Sequence, residues 1–294
     1  MKKLLQNKKM WIALTLLFAL TACTRVVDSE GIIIPEKIIT LSTHIGDILA
    51  DESWFSAFFV FPISQAINFI AKYTGVVLSI IIVTILIKLL TLSFTIKSTV
   101  ASQKMQMINP ELKKVQDKYA GKTDNESKMR MGQEMNAIYA KHQINPFGAI
   151  LVMFIQFPVI IAMYQAVQRA DAVVNGSVMG NSLQISPMAS ITQGVWIFMA
   201  IYILMGVFQF ISMKLPQYLQ KKTAPVKEKA YANKETKKSG PNMEVMMYTS
   251  IGMIMVLAIN WPTAMSLYWL VTAIAQVAQT VFIQYKYITP NAGK

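Results

Sequence analysis

The chain has 294 residues, 54% hydrophobic and only 15% charged, with a mean hydropathy of +0.42. A soluble domain carries about 25% charged residues, so that class is excluded. The charge is lopsided, 28 Lys+Arg against 15 Asp+Glu; such a balance suits nucleic acid, but the long apolar runs point to a membrane instead. One cysteine excludes an internal disulfide framework and a cysteine-cluster zinc site. Two histidines, His44 and His142, lie far apart in sequence, so no metal or cofactor is expected.

Residues 1–22 read as a signal peptide. Lys2, Lys3, Lys8 and Lys9 form a positive start, Met10 to Leu20 an apolar stretch, and Thr21-Ala22 a pair of small residues before Cys23. The arrangement resembles a bacterial lipoprotein lipobox, in which the cysteine becomes the diacylated N-terminus; a plain signal peptide or a signal anchor is the alternative. Two acyl chains hold a protein to a membrane where one is marginal. Residues 23–53, with Asp28, Glu30, Glu36, Asp47, Asp51 and Glu52, read as an extracytoplasmic tether. Residues 54–72 are amphipathic, Phe55, Phe58, Phe59, Ile63 and Ile67 against Ser64, Gln65, Asn68 and Lys72, and suit the membrane interface. Pro62 is expected in the first turn of a helix there.

Five segments are long enough to cross about 30 Å of hydrocarbon: Val76–Ile96, Phe147–Val167, Gln193–Met213, Met243–Asn260 and Thr263–Ile283. Trp261-Pro262 makes a tight turn between the last two. Nine Lys+Arg fall in residues 97–146 and eight in 214–242, against one, Arg169, in 168–192 and three in 24–75. The positive-inside rule puts the two basic loops and the C-terminus in the cytoplasm and the N-terminus outside. The expected architecture is therefore an all-α membrane protein: a core over 76–283, an interfacial helix before it and a short cytoplasmic tail, 284–294.

The first basic loop carries a helical seam. Ala101, Met105, Ile108, Leu112, Val115 and Tyr119 recur at heptad spacing, as do Met131, Met135, Ile138 and His142, with a turn over Gly121 to Asn125. That predicts an antiparallel cytoplasmic hairpin, its first arm broken at Asn109-Pro110-Glu111. The loop 214–242, with Pro225 and Pro241, has a composition that favours disorder.

Lys88 is the most informative residue. It is thirteenth in the 21-residue first span, about 12 Å from the cytoplasmic end at 1.5 Å per residue. A lysine side chain reaches about 6 Å, too short to bring the ammonium to the headgroups, and a charge at that depth costs about 3 kcal/mol or more. No acid lies inside another span; only Glu244 sits near an end. Either the amine is neutral or it faces water held in the bundle. Thr84, Lys88, Thr91 and Thr95 share one helical face, and Trp269, Thr272, Gln276, Gln279 and Thr280 make a second polar stripe. With Gln156 and Gln209 they can line a wet groove; plain interhelical hydrogen bonding is the alternative for the Thr and Gln residues. Pro158 is expected to kink the second span. The 20 methionines suit a pliable binding surface or ordinary core packing.

These residues carry a family resemblance. Ser102-Gln103-Lys104-Met105-Gln106 with Pro110-Glu111 and Lys118-Tyr119, then Asn145-Pro146-Phe147-Gly148 leading to Gln156-Phe157-Pro158, then Trp261-Pro262 with Ser266-Leu267-Tyr268-Trp269, resemble the YidC/Oxa-type membrane protein insertases, in the lipoprotein form of Gram-positive bacteria. The resemblance covers about residues 54–287. It implies a five-helix bundle in the bacterial plasma membrane with a hydrophilic groove open to cytoplasm and lipid. It implies that the family's groove cation, usually arginine, falls on Lys88, and that Gln156 and Trp269 belong to the groove. Ala273 stands where the family often has a polar residue. The large outer domain and the long basic tail of some relatives are not expected.

The expected function is that of an insertase and chaperone, moving hydrophobic segments of nascent membrane proteins into lipid. The candidate groove set is Lys88, Thr84, Thr91, Gln156, Trp269 and Gln276, with Cys23 the lipidation site. Nascent membrane proteins and membrane lipids are the expected partners, the ribosome and the Sec translocase the candidate ones, and direct nucleic-acid recognition is not expected. The competing reading is an anion or solute transporter or channel with Lys88 as its binding site, against which no paired inverted halves are visible. An enzyme is not expected, for want of a phosphate-binding glycine loop, a metal-ligand cluster or a nucleophile–base motif.

Overall fold

The computed structural model describes residue 26 and residues 33–144, 147–223 and 243–288. The signal peptide, Cys23, Asn145-Pro146 and most of the second basic loop lie outside the described residues. The described chain is mostly helical and falls into two compact units. The first comprises residues up to Thr84, Phe157–Ala200 and Asn260–Tyr268; the second comprises Ile85–Gln156, Ile201–Ile259 and Trp269 onward.

In the first unit, the described residues from Ile33 onward are folded. A 3-10 turn over Pro35–Lys37 leads to α1, Ile45–Asp51, whose Asp47 carboxylate accepts from the His44 N–H at 3.2 Å. A π turn over Ser56–Val60 runs into α2, Phe61–Thr74, with Pro62 in its opening turn. Gly75 ends α2 with φ +81° and donates its N–H to the Ala71 carbonyl at 2.9 Å. That left-handed geometry strains any residue with a Cβ, and it lets α3, Val76–Met107, start at once in a new direction.

α6, Phe147–Arg169, continues through Pro158 without a break in its assignment. It is followed by a single turn, α7, Asp171–Val174. The two-residue strands β1, Ser177–Val178, and β2, Asn181–Ser182, then pair antiparallel. Their turn, Met179-Gly180, has positive φ at both positions, 52° and 81°, as a two-residue hairpin that matches strand twist requires. α8, Pro187–Thr192, is capped by Ser186, whose hydroxyl accepts from the Ala189 N–H. The core of this unit is fully buried Ile39, Phe55, Val60, Ile67, Ile80, Met163, Ala166, Leu183 and Phe198. The turn at Trp261-Pro262 is tied in twice: Thr263 donates its N–H and its hydroxyl to the Ile185 carbonyl, and the Ala264 N–H donates to the Leu183 carbonyl. Trp261 also stacks at a tilt on Tyr164, 4.8 Å between centroids.

In the second unit, α3 stops at Met107 and α4, Asn109–Lys118, begins two residues on. α5, Asn125–Lys141, follows the turn, with the Asp124 carboxylate accepting from the Ser127 N–H at 2.7 Å. α4 and α5 run antiparallel. The start of α4 meets the end of α5, Glu111 against His142 at 3.1 Å and against Lys141 at 3.4 Å, and the end of α4 meets the middle of α5, Lys118 against Glu134 at 2.6 Å. Between them Ile108, Leu112 and Ile144 are buried, with Met105, Met135, Ile138 and Tyr139 against them.

α9, Trp196–Thr223, starts three residues later than the span expected from Gln193, because Gly194 takes φ +71°, and it runs on through Pro216. The stretch 214–223, expected as loop, is therefore helical. α10 covers Met243–Ala258 and α11 Thr263–Ile283, followed by a π turn over Gln284–Ile288. Among the described residues, two stretches are long and apolar enough to cross a membrane. They are Trp196–Leu219, with 24 residues and mean hydropathy 1.9, and Thr263–Tyr287, with 25 and 1.4. At 1.5 Å per residue each exceeds the roughly 30 Å of a hydrocarbon core. Val76–Leu92 and Tyr248–Ala258 are shorter apolar stretches.

Candidate functional site

Five of the six groove candidates, Lys88, Thr91, Gln156, Trp269 and Gln276, fall in the second unit; Thr84 falls in the first. Lys88 is half-buried on α3. Among the described residues, no acid forms an ion pair with it. Thr91 is half-buried and donates its hydroxyl to the Ile87 carbonyl at 2.8 Å, with the Lys88 carbonyl at 3.2 Å. Such back-bonding satisfies a hydroxyl inside an apolar helix. Thr84 is fully buried, its hydroxyl on the Ile80 carbonyl at 2.7 Å. Its one donor is thus used within its own helix. The side chain of Thr95 lies outside the described residues.

Gln156 on α6 and Trp269 and Gln276 on α11 are all half-buried. The contact that aligns two of these helices is Gln279 Nε2 to Thr99 Oγ1 at 3.4 Å, a long hydrogen bond between α11 and α3. Thr99 lies eleven residues after Lys88, close to three full turns, so it continues the face that carries the lysine. Gln279 lies three residues after Gln276, on the neighbouring ridge of α11. The polar stripe of α3 is therefore turned toward that of α11 at this level. On the same stripe of α11, the Thr272 hydroxyl is buried without a protein partner among the described residues, and a lone buried hydroxyl is normally met by water or a ligand group. α9 and α10 are held by the Tyr202 hydroxyl, which donates to the Met255 carbonyl at 2.8 Å.

Charge at the hairpin is arranged differently. One carboxylate oxygen of Glu134 accepts from both Lys118, at 2.6 Å, and the Tyr119 hydroxyl, at 2.7 Å. Lys118 and Lys122 each lie 5.3 Å from the Tyr119 ring centroid. The hydrogen bonds from Lys118 and Tyr119 hold the Glu134 carboxyl below its ordinary range. An open cleft of about 520 Å³ at this tip is lined by Lys118, Lys122, Arg130 and their acidic neighbours, and by none of the groove candidates. Among the described residues no cluster of His, Cys, Asp or Glu is placed to hold a metal.

The residue that sequence reasoning passed over is Arg169, counted there only as a loop charge. It is fully buried. Its guanidinium reaches Glu52 through Nη1 at 2.8 Å and Nη2 at 2.6 Å, and its Nε donates to the Lys37 carbonyl at 2.7 Å. A signal was available. In a loop that otherwise avoids cations, an arginine at the end of an apolar helix needs a partner, and Glu52 stands in the acidic segment before the first span.

Compared with known proteins, the chain matches the family described as 60Kd inner membrane protein over residues 68–290. It is 33% identical over 248 residues to membrane protein insertase MisCA of Bacillus subtilis (strain 168), covering 83% of this chain and 85% of that one. It is 30% identical over 230 residues to membrane protein insertase YidC 2 of Bacillus anthracis, covering 77% and 80%. To membrane protein insertase YidC 1 of Streptococcus pyogenes serotype M6 it is 29% identical over 253 residues, covering 85% and 82%.

Proposed function

Because the chain belongs to the 60Kd inner membrane protein family, that of the YidC/Oxa insertases, we propose that it inserts nascent membrane proteins, without covalent chemistry, along a polar path that includes Lys88. The observation that carries this reading is the turning of the α3 stripe, whose lysine has no acidic partner among the described residues, toward the stripe of α11 through Thr99 and Gln279. In this reading α3, α6, α9, α10 and α11 span the plasma membrane, with the hairpin in the cytoplasm and the N-terminus outside, held by acylation of Cys23.

A substrate docks on the hairpin formed by α4 and α5. Its polar or acidic flank enters the groove, where Lys88 attracts the negative charge and lowers the cost of carrying it partway across. Gln156 and Gln276 offer hydrogen bonds along the way, the Thr91 hydroxyl only its acceptor lone pairs since its O–H is on its own helix, and Trp269 an amphipathic edge. The apolar segment then moves sideways into lipid, driven by its own burial. Ribosome and Sec translocase are candidate partners in delivery. Thr84 is spent on its own helix backbone.

The test is insertion by the reconstituted protein. Lys88→Arg retains insertion of substrates with acidic flanks, Lys88→Ala loses it, and Lys88→Glu loses it further. Equal insertion by parent and Lys88→Ala, at equal protein level, would falsify the role of the lysine. Ion flux through proteoliposomes, absent on this reading, would instead favour a channel.

A further inference from the structure

Residues 39–52 leave one point of the fold and return to it. At the first end Ile39 is fully buried. Its N–H donates to the Arg169 carbonyl at 2.7 Å and its carbonyl accepts from the Asp171 N–H at 3.0 Å, bridging Ala170. At the second end Glu52 takes both arms of the Arg169 guanidinium. Arg169 is the last residue of α6, so both ends are pinned at the final turn of that helix. Two side chains of α2 add ties near the first end: Asn68 donates to the Ile39 carbonyl at 2.6 Å, and Gln65 to the Thr40 and Thr43 carbonyls at 2.8 and 3.2 Å. Within the loop, α1 has only seven residues, about 10 Å at 1.5 Å per residue. The loop therefore stays close to the level at which α6 ends.

The loop exposes three large apolar side chains beside Ser42, His44, Asp47 and Asp51. Leu41 is 46% exposed, Ile45 43% and Leu49 46%. Ile45 and Leu49 are four residues apart and share a face of α1, while Ile48 on the adjoining face is buried and Asp47 and Asp51 take the far side. Past Glu52, Trp54 is 42% and Phe58 60% exposed. Large apolar side chains held in place by a hydrogen-bonded frame call for a cover.

We infer that residues 39–52 form a membrane-surface loop, with Leu41, Ile45 and Leu49 seated in the headgroup–acyl boundary of the leaflet where α6 ends. The occupant follows from continuity: α6 is an apolar helix ending at the pin, and both ends of the loop are fixed there. The loop carries no Lys or Arg between residues 41 and 51, so apolar burial rather than attraction to anionic headgroups is the driving term. The inference rests on the reading of α6 as a membrane span. It makes this part of the expected tether a paddle fixed on the surface, with Arg169 as its pin.

The test uses the full chain reconstituted in phosphatidylcholine–phosphatidylglycerol vesicles, with a dansylalanine substituted in turn for Leu49, Asp51 or Phe157, the last being an exposed residue of α6. Quenching by acyl-brominated lipid is read against quenching by aqueous iodide. The expected result is strong lipid quenching at 157, about twofold or more lipid quenching at 49 over 51, and iodide quenching mainly at 51. Lipid quenching at 157 with 49 and 51 equally open to iodide overturns the loop's placement and leaves the span intact. A probe at 49 shielded from both quenchers means that protein covers the face, and also overturns it. Absence of lipid quenching at 157 removes the span reading itself, and the inference with it.

Discussion

Arg169 holds Glu52 with both arms of its guanidinium, at 2.8 and 2.6 Å, across 117 residues of sequence. The arginine side chain is 0% exposed and the glutamate 3%. Taking two charges out of water costs several kcal/mol per ion, and their attraction offsets this only when the remaining donors and acceptors are also met. Here they are: Arg169 Nε is on the Lys37 carbonyl, and the Lys37 ammonium lies 3.2 Å from Glu52.

Removing one partner of this pair strands the other. Glu52→Gln and Arg169→Met are each expected to destabilise the detergent-solubilised protein by about 3–5 kcal/mol, and the double variant by clearly less than their sum. Arg169→Lys is expected to fail as well, since an ammonium cannot replace the two-armed grip. A double-mutant cycle on thermal unfolding checks this; additive losses would mean that the two side chains do not act together.

The same pair makes stability depend on acidity. Burial pushes the Glu52 carboxyl up, but hydrogen bonds and charge from Arg169, with help from Ser56 and Lys37, outweigh it and hold the group below its ordinary 4.5. A carboxyl lowered in the folded state contributes stability that is present above 4.5 and is lost as the pH falls through its folded value. The melting-temperature gap between the parent and Glu52→Gln is therefore expected to be constant from about pH 7 to 5 and to shrink toward about pH 3. A gap unchanged at low pH would contradict the assignment.

In the hairpin, apolar contacts outweigh the ion pairs. Leu112 is 5% exposed and Ile108 4%, so Leu112→Ala is expected to cost about 2–4 kcal/mol of local stability. Glu134→Gln, at an exposed pair, is expected to change little. Hydrogen exchange across α4 and α5 in the full protein reads both. On the functional side, deletion of residues 109–135 at preserved membrane level is expected to lower insertion; unchanged insertion would reject substrate capture by the hairpin.

At the contact of α9 and α10, a Cβ on Gly206 would lie 2.7 Å from the Met255 methyl and 2.8 Å from its sulfur. Those atoms end a flexible side chain, so Gly206→Ala is expected to cost less than about 1 kcal/mol, whereas Gly206→Ile overpacks by about 1–3 kcal/mol. Met255→Ala should rescue the second variant and leave the first unchanged. Tyr202→Phe is expected to lose about 1 kcal/mol, because the Met255 carbonyl keeps the Ile259 N–H at 3.2 Å. Unfolding in mixed detergent micelles ranks the four.

Helix bounds were legible wherever a local rule sets them. Pro62 sits in the opening turn of α2, the turn over Gly121 to Asn125 leads into α5, and the heptad run Met105, Ile108 and Leu112 marks the buried side of the hairpin. Local rules missed α9 at both ends, since the left-handed Gly194 and a helix carried through Pro216 depend on what surrounds them. The stripe of Thr84, Lys88, Thr91 and Thr95 is drawn from spacing alone; that Thr99 continues it toward α11 is not.

Composition, the periodicity of apolar residues and the motif order determined by themselves that this is a helical membrane chain of the insertase family, because hydropathy and helical repeat are properties of consecutive residues. Tertiary structure alone decided that Arg169 lies buried on Glu52, that Ile39 bridges Ala170, and that Gln279 of α11 faces Thr99 of α3. Each of these joins residues more than a hundred positions apart. No local periodicity encodes such pairings; they form when packing brings distant donors and acceptors out of water together and each must find a partner.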